Sequence, residues 1–245
     1  MVRSPANRHI VKAPRLQSAP LLPPADAYLF DIDGTLLNSG DGVHYNAFHA
    51  AVREVYGIDS RIDGVPVHGN TDLGILRAVA RRAGLSDAEF ESKLPAAIER
   101  MCAEASRNAG GMAPQLCPSV RDLLAGLHRA SKLLGVVSGN LEPIGWLKLE
   151  AAGVKEFFAF GSFSGRRELR RDIFAHGLEE VRRRLGGCAR ACFVGDTPAD
   201  IEAARLVGSP ILAVATGIFT PADLLAHAPD SCVGCCSDLL QAIED

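Results

Sequence analysis

The residues best suited to chemistry are carboxylates and one serine hydroxyl, which occur in short clusters along the chain. Those that stand out by type and spacing are Asp31, Asp33, Ser138, Asp196 and Asp200. Several ionised carboxylates in one cleft repel one another unless a cation offsets their charge. Oxygen ligands alone suit Mg²⁺, which also favours substrate phosphates as partners. The clusters therefore predict a magnesium site that acts on a phosphorylated substrate, provided that the fold brings them together.

A second pattern indicates phosphate binding. Ser138 is followed by Gly139 and Asn140 at the predicted start of a helix, where free backbone N–H groups bind anions. Further along the chain, four arginines lie close together: Arg166, Arg167, Arg170 and Arg171. An arginine near a phosphate neutralises its charge through strong hydrogen bonds. We expect the Ser-Gly-Asn turn and one of these arginines to hold the same phosphate.

Short apolar segments that alternate with helical ones must position these residues. The predicted strands are 27–30, 133–137, 157–160, 191–194 and 211–214. Each of the last four strands is preceded by a predicted helix, and these helices are 119–131, 141–152, 168–185 and 198–207. This alternation indicates a parallel sheet covered by helices on both faces. Ligands bind such sheets beyond the carboxyl ends of the strands. Asp31, Ser138 and Asp196 each follow a predicted strand, so we expect them at one edge.

The segment between the first two strands of this sheet is helical in pattern. Helices are predicted over 44–57, 70–84 and 86–108, and Ser86 with Glu89 forms a capping box for the third. We therefore predict an α/β core made of residues 26–40 and 116–245, with a helical cap inserted as residues 41–115. His44 and Tyr45 either face the substrate or lie on the helix surface, and we favour the surface.

Residues 1–25 differ in composition from the rest of the chain. They contain four basic residues, five prolines and no acidic residue. This composition predicts a disordered tail. An arginine-rich start without acids is also compatible with an organelle transit peptide, and we favour the unstructured extension.

The composition of the 245-residue chain excludes several classes of function. A protein that binds nucleic acid over its whole surface would be basic, whereas the formal net charge is -3. No stretch approaches the ~18 continuous apolar residues of a membrane span. Seven cysteines, an odd number, argue against a disulfide scaffold and for reduced thiols in a cytoplasm. We therefore expect a cytoplasmic protein with neither nucleic-acid nor membrane partners.

Taken together, the motifs resemble those of the haloacid-dehalogenase-like (HAD) hydrolase superfamily. Residues 30–37, with the sequence FDIDGTLL, resemble its first motif, Ser138 its second, and Gly195-Asp196-Thr197 with Asp200 its fourth. The place of the cap and the sequence Gly69-Asn70-Thr71-Asp72 resemble the phosphoglycolate-phosphatase-like group. The resemblance implies a doubly wound, Rossmann-like core with an inserted helical cap.

The resemblance also implies roles for individual residues. Asp31 would be the nucleophile that forms an aspartyl-phosphate, and Asp33 would be the general acid and base. Mg²⁺ would be held by the Asp31 carboxylate, the Asp33 backbone carbonyl and Asp196, with Asp200 direct or through water. The residues implied to bind the substrate phosphate are Thr35, Ser138, Gly139 and Asn140.

The third motif departs from the family pattern, because the usual Lys-Pro is missing. One alignment register places Glu168 where the lysine belongs, and a carboxylate cannot neutralise a phosphate. A second register matches residues 170–173 to a shorter variant with arginine in that position. We prefer Arg170, with Arg167 or Arg171 as substitutes, although each arginine is equally explained by the solvated face of a helix.

These observations predict a Mg²⁺-dependent phosphatase of small phosphorylated metabolites, such as phosphoglycolate-like compounds or sugar phosphates, acting as a monomer or homodimer. A phosphomutase of the β-phosphoglucomutase type and a non-catalytic binding protein on the same scaffold are the alternatives. The retained acidic residues and Ser138 argue against the binding protein, and the altered third motif keeps it open.

Overall fold

The computed structural model describes residues 22–59, 62 and 64–240. The tail prediction for residues 1–21 lies outside the described residues. Residues 22–25, which the same prediction included, pack against the core: Ala25 is buried, and the Tyr28 hydroxyl donates a hydrogen bond to the Pro23 carbonyl at 3.0 Å. Residues 22–25 are therefore ordered against the core, although the prediction counted them with the tail.

Within the described residues, the strands form one six-stranded parallel sheet and one small antiparallel pair. Their bounds are β1 Ala27–Phe30, β2 Leu37–Asn38, β3 Gln115–Leu116, β4 Leu133–Val137, β5 Phe160–Ser162, β6 Ala191–Gly195, β7 Ile211–Val214 and β8 Ser231–Val233. The order in the large sheet is β5-β4-β1-β6-β7-β8. Strands β2 and β3 pair where the chain leaves and re-enters the core. The first strand is thus central, with the second and fourth predicted strands on either side.

Helices separate the strands as the periodicity predicted. The α-helices found in the described ranges are α1 Val43–Glu54, α2 Asp72–Arg82, α3 Asp87–Arg107, α4 Val120–Arg129, α5 Glu142–Ala151, α6 Arg170–Leu185, α7 Pro198–Leu206 and α8 Pro221–Leu225. The capping box of Ser86 and Glu89 at the start of α3 is present. None of the helices in this part of the chain is long and apolar enough to cross a bilayer.

Two apolar layers cover the sheet. Along β1, Tyr28 and Phe30 point into one layer and Leu29 into the other, because successive side chains of a strand alternate between faces. Helices α4 and α5 contribute to the first layer, and α6 and α7 contribute to the second. The doubly wound α/β fold predicted from the sequence is confirmed.

A third apolar cluster lies among α1, α2 and α3 and includes the fully buried Phe90 and Met101. Leu141 and Ile144 of the core also contribute to it, so α5 packs on the helical insertion as well as on the sheet. This separate cluster supports the proposed division into a core and a cap spanning residues 41–115.

One predicted strand is displaced in the structure, and two short strands were not predicted. The strand predicted at 157–160 is wrong for residues 157–159: a 3-10 turn covers Lys155–Phe157, and β5 begins at Phe160. Phe158 packs edge-on against Phe30 in the core, so its apolar character reflects burial from a turn rather than from a strand. The two-residue strands β2 and β3 were not predicted, because they are too short to show any periodicity.

Candidate active site

The sheet brings three strand ends into one place. Phe30 of β1 pairs with Val136 of β4 and with Val194 of β6. In this register Asp31 lies between the ends of β4 and β6, and Ser138 and Asp196 lie one position further along. All three line a cavity of about 340 Å³ between the sheet edge and the cap. The juxtaposition expected from the strand order is therefore observed.

Three carboxylates form a buried cluster at this edge. Oxygen atoms of Asp31, Asp196 and Asp200 all lie within 4.8 Å of one another. Burial, together with the neighbouring carboxylates, raises the pKa of Asp31 to about 6 and that of Asp196 to about 8. Buried like charges of this kind need a cation to remain ionised together. A donor set made only of oxygen atoms fits Mg²⁺.

Arg170 is the arginine that reaches this cluster. Its Nη2 lies 2.7 Å from Asp31 Oδ2 and 2.7 Å from Asp200 Oδ1, while its Nε donates to the same Asp200 oxygen at 2.8 Å. Although burial opposes its charge, these two carboxylates raise the pKa of Arg170. Arg171, the next residue of α6, is 59% exposed and pairs with Asp172 instead. The structure thus favours the second alignment register of the third motif.

Thr35 is placed differently from its implied role in phosphate binding. It is buried away from the cavity lining, and its hydroxyl donates to Asp196 Oδ1 at 2.9 Å. Its physical role in this arrangement is to orient a carboxylate of the acidic cluster. Asp200 is held similarly, because its Oδ2 accepts hydrogen bonds from the Thr197 hydroxyl and backbone N–H in the capping box of α7.

Asp33 lies beside the acidic cluster, with both carboxylate oxygens bound to a lysine. Nζ of Lys148 lies 2.8 Å from Oδ1 and 2.7 Å from Oδ2, and Nδ2 of Asn140 donates to Oδ2 at 2.8 Å. The partly buried position of Asp33 alone would raise its pKa, but Lys148, His44 and the Asn140 hydrogen bond lower it below its usual value. The two implied catalytic carboxylates therefore have pKa values shifted in opposite directions.

The turn after β4 is covered by the start of α2. The Asp72 N–H donates to the Gly139 carbonyl at 2.8 Å, and the Leu141 N–H donates to Asp72 Oδ2 at 2.7 Å. A Cβ atom on Gly139 would lie 2.5 Å from the Asn70 carbonyl oxygen, so only glycine permits this approach. Gly139 thus allows the cap to dock directly on the predicted phosphate-binding turn.

Glu168, the residue in the usual lysine position, also contacts the cap. Its carboxylate oxygens each lie 2.6 Å from nitrogen atoms of Arg77, and its carbonyl accepts a hydrogen bond from the Thr71 hydroxyl at 2.7 Å. The negative charge that seemed unsuited to phosphate binding is therefore paired with a cap arginine, outside the acidic cluster.

His44 and Tyr45 both line the cavity, but Tyr45 is also 37% exposed, so the expectation of a surface position is wrong for His44 alone. His44 Nε2 lies 3.1 Å from Asp72 Oδ2, which fixes the imidazole at the start of α1 and α2.

Sequence reasoning also missed Lys148. The sequence did contain a sign of this residue. Lys148 follows Ile144 by four residues and Leu141 by seven, so it is a charged residue at a position where the helical spacing of α5 predicts a buried apolar one.

The chain is similar to several known proteins. The family model for the haloacid dehalogenase-like hydrolase matches residues 25–208. A phosphoglycolate phosphatase from Synechococcus elongatus is 31% identical over 226 residues, covering 89% of this chain and 96% of the relative. One from Mesorhizobium japonicum is 26% identical, covering 81% and 89%. The crystal structure of CbbY from Rhodobacter sphaeroides in complex with phosphate has a TM-score of 0.65 at 20% identity, covering 90% and 100%.

Proposed function

The chain belongs to the haloacid dehalogenase-like hydrolase family, in its phosphoglycolate-phosphatase-like group, and is a phosphatase; from this premise we propose that it hydrolyses small phosphorylated metabolites with Mg²⁺ as cofactor. The observation that carries the proposal is the cluster of Asp31, Asp196 and Asp200 beside Arg170. Relatives named phosphoglycolate phosphatase favour phosphoglycolate-like compounds or sugar phosphates as substrates. The cavity of about 340 Å³ is near the lower end of ligand pockets, which favours small substrates.

The nucleophile in this proposal is Asp31, at the end of the central strand. A carboxylate oxygen forms a bond to phosphorus while the bond from phosphorus to the substrate oxygen breaks, which leaves an aspartyl-phosphate. Mg²⁺, held by Asp31, the Asp33 carbonyl, Asp196 and Asp200, would offset the charges of the carboxylates and the phosphate. Arg170, Ser138 and the backbone N–H groups of the Gly139-Asn140 turn would hold the other phosphate oxygens.

Asp33 moves the protons in both steps of the proposed reaction. It gives a proton to the departing substrate oxygen, and then accepts one from the water that attacks phosphorus and releases phosphate. The second step requires the ionised form that Lys148 stabilises. The first step requires the protonated form, which donates its proton to the departing oxygen.

Asp31→Asn tests the proposed nucleophile. Phosphate release is measured across phosphorylated metabolites with and without Mg²⁺, and the aspartyl-phosphate is trapped by acid quench. We expect turnover to fall roughly 10³-fold or more, because the amide is a poor nucleophile. Asp122→Asn, an exposed aspartate of α4, is the matched control. Turnover of Asp31→Asn within tenfold of wild type, or isomerised product without phosphate release, would overturn the proposal.

The proposal also places the protein in the cytoplasm, as a monomer or homodimer. All seven cysteines are free thiols, which supports a reducing compartment.

A further inference from the structure

Lys148 is a buried cation whose three N–H donors are all used. Its side chain is 4% exposed, yet it lies on the face of α5 that packs with Ile144 and Leu149. The ammonium contacts both oxygens of Asp33 and the Asn140 Oδ1 at 2.7–2.8 Å. A buried ammonium is tolerated when it is paired and hydrogen-bonded in this way. These contacts fix the Asp33 side chain from the side of α5.

Asn140 extends the contact into a network. Its Nδ2 donates to Asp33 Oδ2 and to Ser138 Oγ, each at 2.8 Å, while its Oδ1 accepts from Lys148. The Asn140 amide is therefore fully oriented by its partners, and it ties Asp33 to the serine of the predicted phosphate-binding turn. Asp33 itself remains 44% exposed toward the cavity. One face of the carboxylate is held while the rest stays accessible.

We propose that Lys148 is a positioning residue that, through Asn140, holds the Asp33 carboxylate where it exchanges a proton with the leaving-group oxygen. This inference rests on the proposed function, since it assigns Lys148 to the proton-transfer step of that reaction. Lys148 acts through Asp33, whereas Arg170 acts on the nucleophile side. The two cations of the site thus serve different halves of the chemistry.

The distinction has a kinetic consequence. A leaving group of low pKa, such as p-nitrophenolate, departs without a proton, whereas an alkoxide needs one. Loss of the positioning residue should therefore slow the hydrolysis of alkyl phosphates far more than that of p-nitrophenyl phosphate. General acid catalysis typically contributes about 10²–10⁴-fold. We expect Lys148→Met to lower kcat/KM about 100-fold for alkyl phosphates and only a few-fold for p-nitrophenyl phosphate.

The experiment compares Lys148→Met, Lys148→Arg and the control Lys155→Met over a series of phosphate monoesters of rising leaving-group pKa. Lys155 is a neighbouring lysine that pairs with Glu150 at the surface. We expect Lys148→Arg to recover part of the loss, and Lys155→Met to match wild type. The double variant Asp33→Asn with Lys148→Met should be no slower than Asp33→Asn alone, because both substitutions disable the same proton-transfer step.

Three results would overturn the inference. A loss of equal size for every leaving group, with weaker inhibition by inorganic phosphate, would mean that Lys148 binds the phosphate directly. A shifted Mg²⁺ titration midpoint would assign it to the metal site. Additive losses of activity in the double variant would show that Lys148 acts independently of Asp33.

Folding and function are checked separately. If Lys148→Met does not fold, Lys148→Arg, which should keep part of the loss, gives the comparison across leaving groups with a smaller difference. If wild type releases phosphate from no monoester, the proposed function fails. The contact between Lys148 and Asp33 is then tested by thermal unfolding. Additive changes in Tm for Asp33→Asn and Lys148→Met would mean that the two side chains do not interact, which would overturn the inference.

Discussion

Replacing Arg170 with methionine removes the cation that contacts the nucleophile while keeping the bulk of the side chain. In the metal-free protein at pH 8, Asp31 and Asp200 would lose a partner that now lies 2.7 Å away. Removing one member of a buried ion pair typically costs about 3–5 kcal/mol. For a chain of this size that corresponds to a fall in Tm of roughly 6–20 °C. Arg171→Met, on the exposed face of the same helix, should change Tm little.

Mg²⁺ should reverse much of this loss. Arg170 and the metal ion share the carboxylates of Asp31 and Asp200, so removing one cation strengthens binding of the other. We therefore expect the rise in Tm on adding Mg²⁺ to be larger for Arg170→Met than for wild type. Differential scanning fluorimetry with EDTA and with saturating Mg²⁺ measures both effects on the same samples.

Activity should not recover with stability. With Mg²⁺ saturating, loss of a fixed charge beside the transferring phosphoryl group should lower kcat roughly 10²–10³-fold, as for the loss of one oxyanion donor. Arg171→Met should keep wild-type kcat/KM. If Arg170→Met keeps wild-type kcat/KM, or if Arg171→Met loses as much, the assignment of Arg170 is wrong.

Three further results are expected. Thr35→Val should weaken Mg²⁺ binding about 10- to 100-fold, because it removes the hydrogen bond that orients Asp196. A titration of activity with Mg²⁺ measures this affinity, and Thr35→Ser should restore the wild-type value. Glu168→Gln should weaken the pair with Arg77 and loosen the cap, so amide hydrogen exchange in α2 should become several-fold faster, and unchanged exchange would refute the role of this contact. Finally, the raised pKa values of Asp31, about 6, and Asp196, about 8, mean that these two carboxyls hold more protons in the folded metal-free protein than in the unfolded chain between pH 6 and 8. The free energy of unfolding should therefore fall as pH rises from 6 to 8, whereas in Mg²⁺ the fall should be smaller; a metal-free Tm that rises between pH 6 and 8 would contradict the pKa assignments.

The parts of the fold that could be predicted are those with a repeated signal. Alternating strands and helices predicted the parallel sheet, and the position of Asp31, Ser138 and Asp196 directly after strands predicted that they meet. Phe158 shows the limit of the method: a buried aromatic residue in a turn has the same local appearance as one in a strand.

Side-chain partners could not be predicted in the same way, because they depend on distances between elements far apart in sequence. Thr35 looked like a phosphate ligand, but its hydroxyl is turned to Asp196, 161 residues away. Lys148 could have been singled out as a charge on an apolar stripe, although nothing local indicated that its partner is Asp33. The buried polar residue on an amphipathic helix was the informative signal.

The charges of the site also bear on how the proposed reaction would proceed without the usual third-motif lysine. Around the acidic cluster, the four carboxylates of Asp31, Asp33, Asp196 and Asp200 contact two cations, Arg170 and Lys148, which leaves a net charge of -2 that one divalent ion would offset. Glu168 adds nothing to this sum, since its charge is paired with Arg77 of the cap. The altered motif therefore preserves the positive charge of the site, supplied two residues later by Arg170, and uses the vacated position to bind the cap.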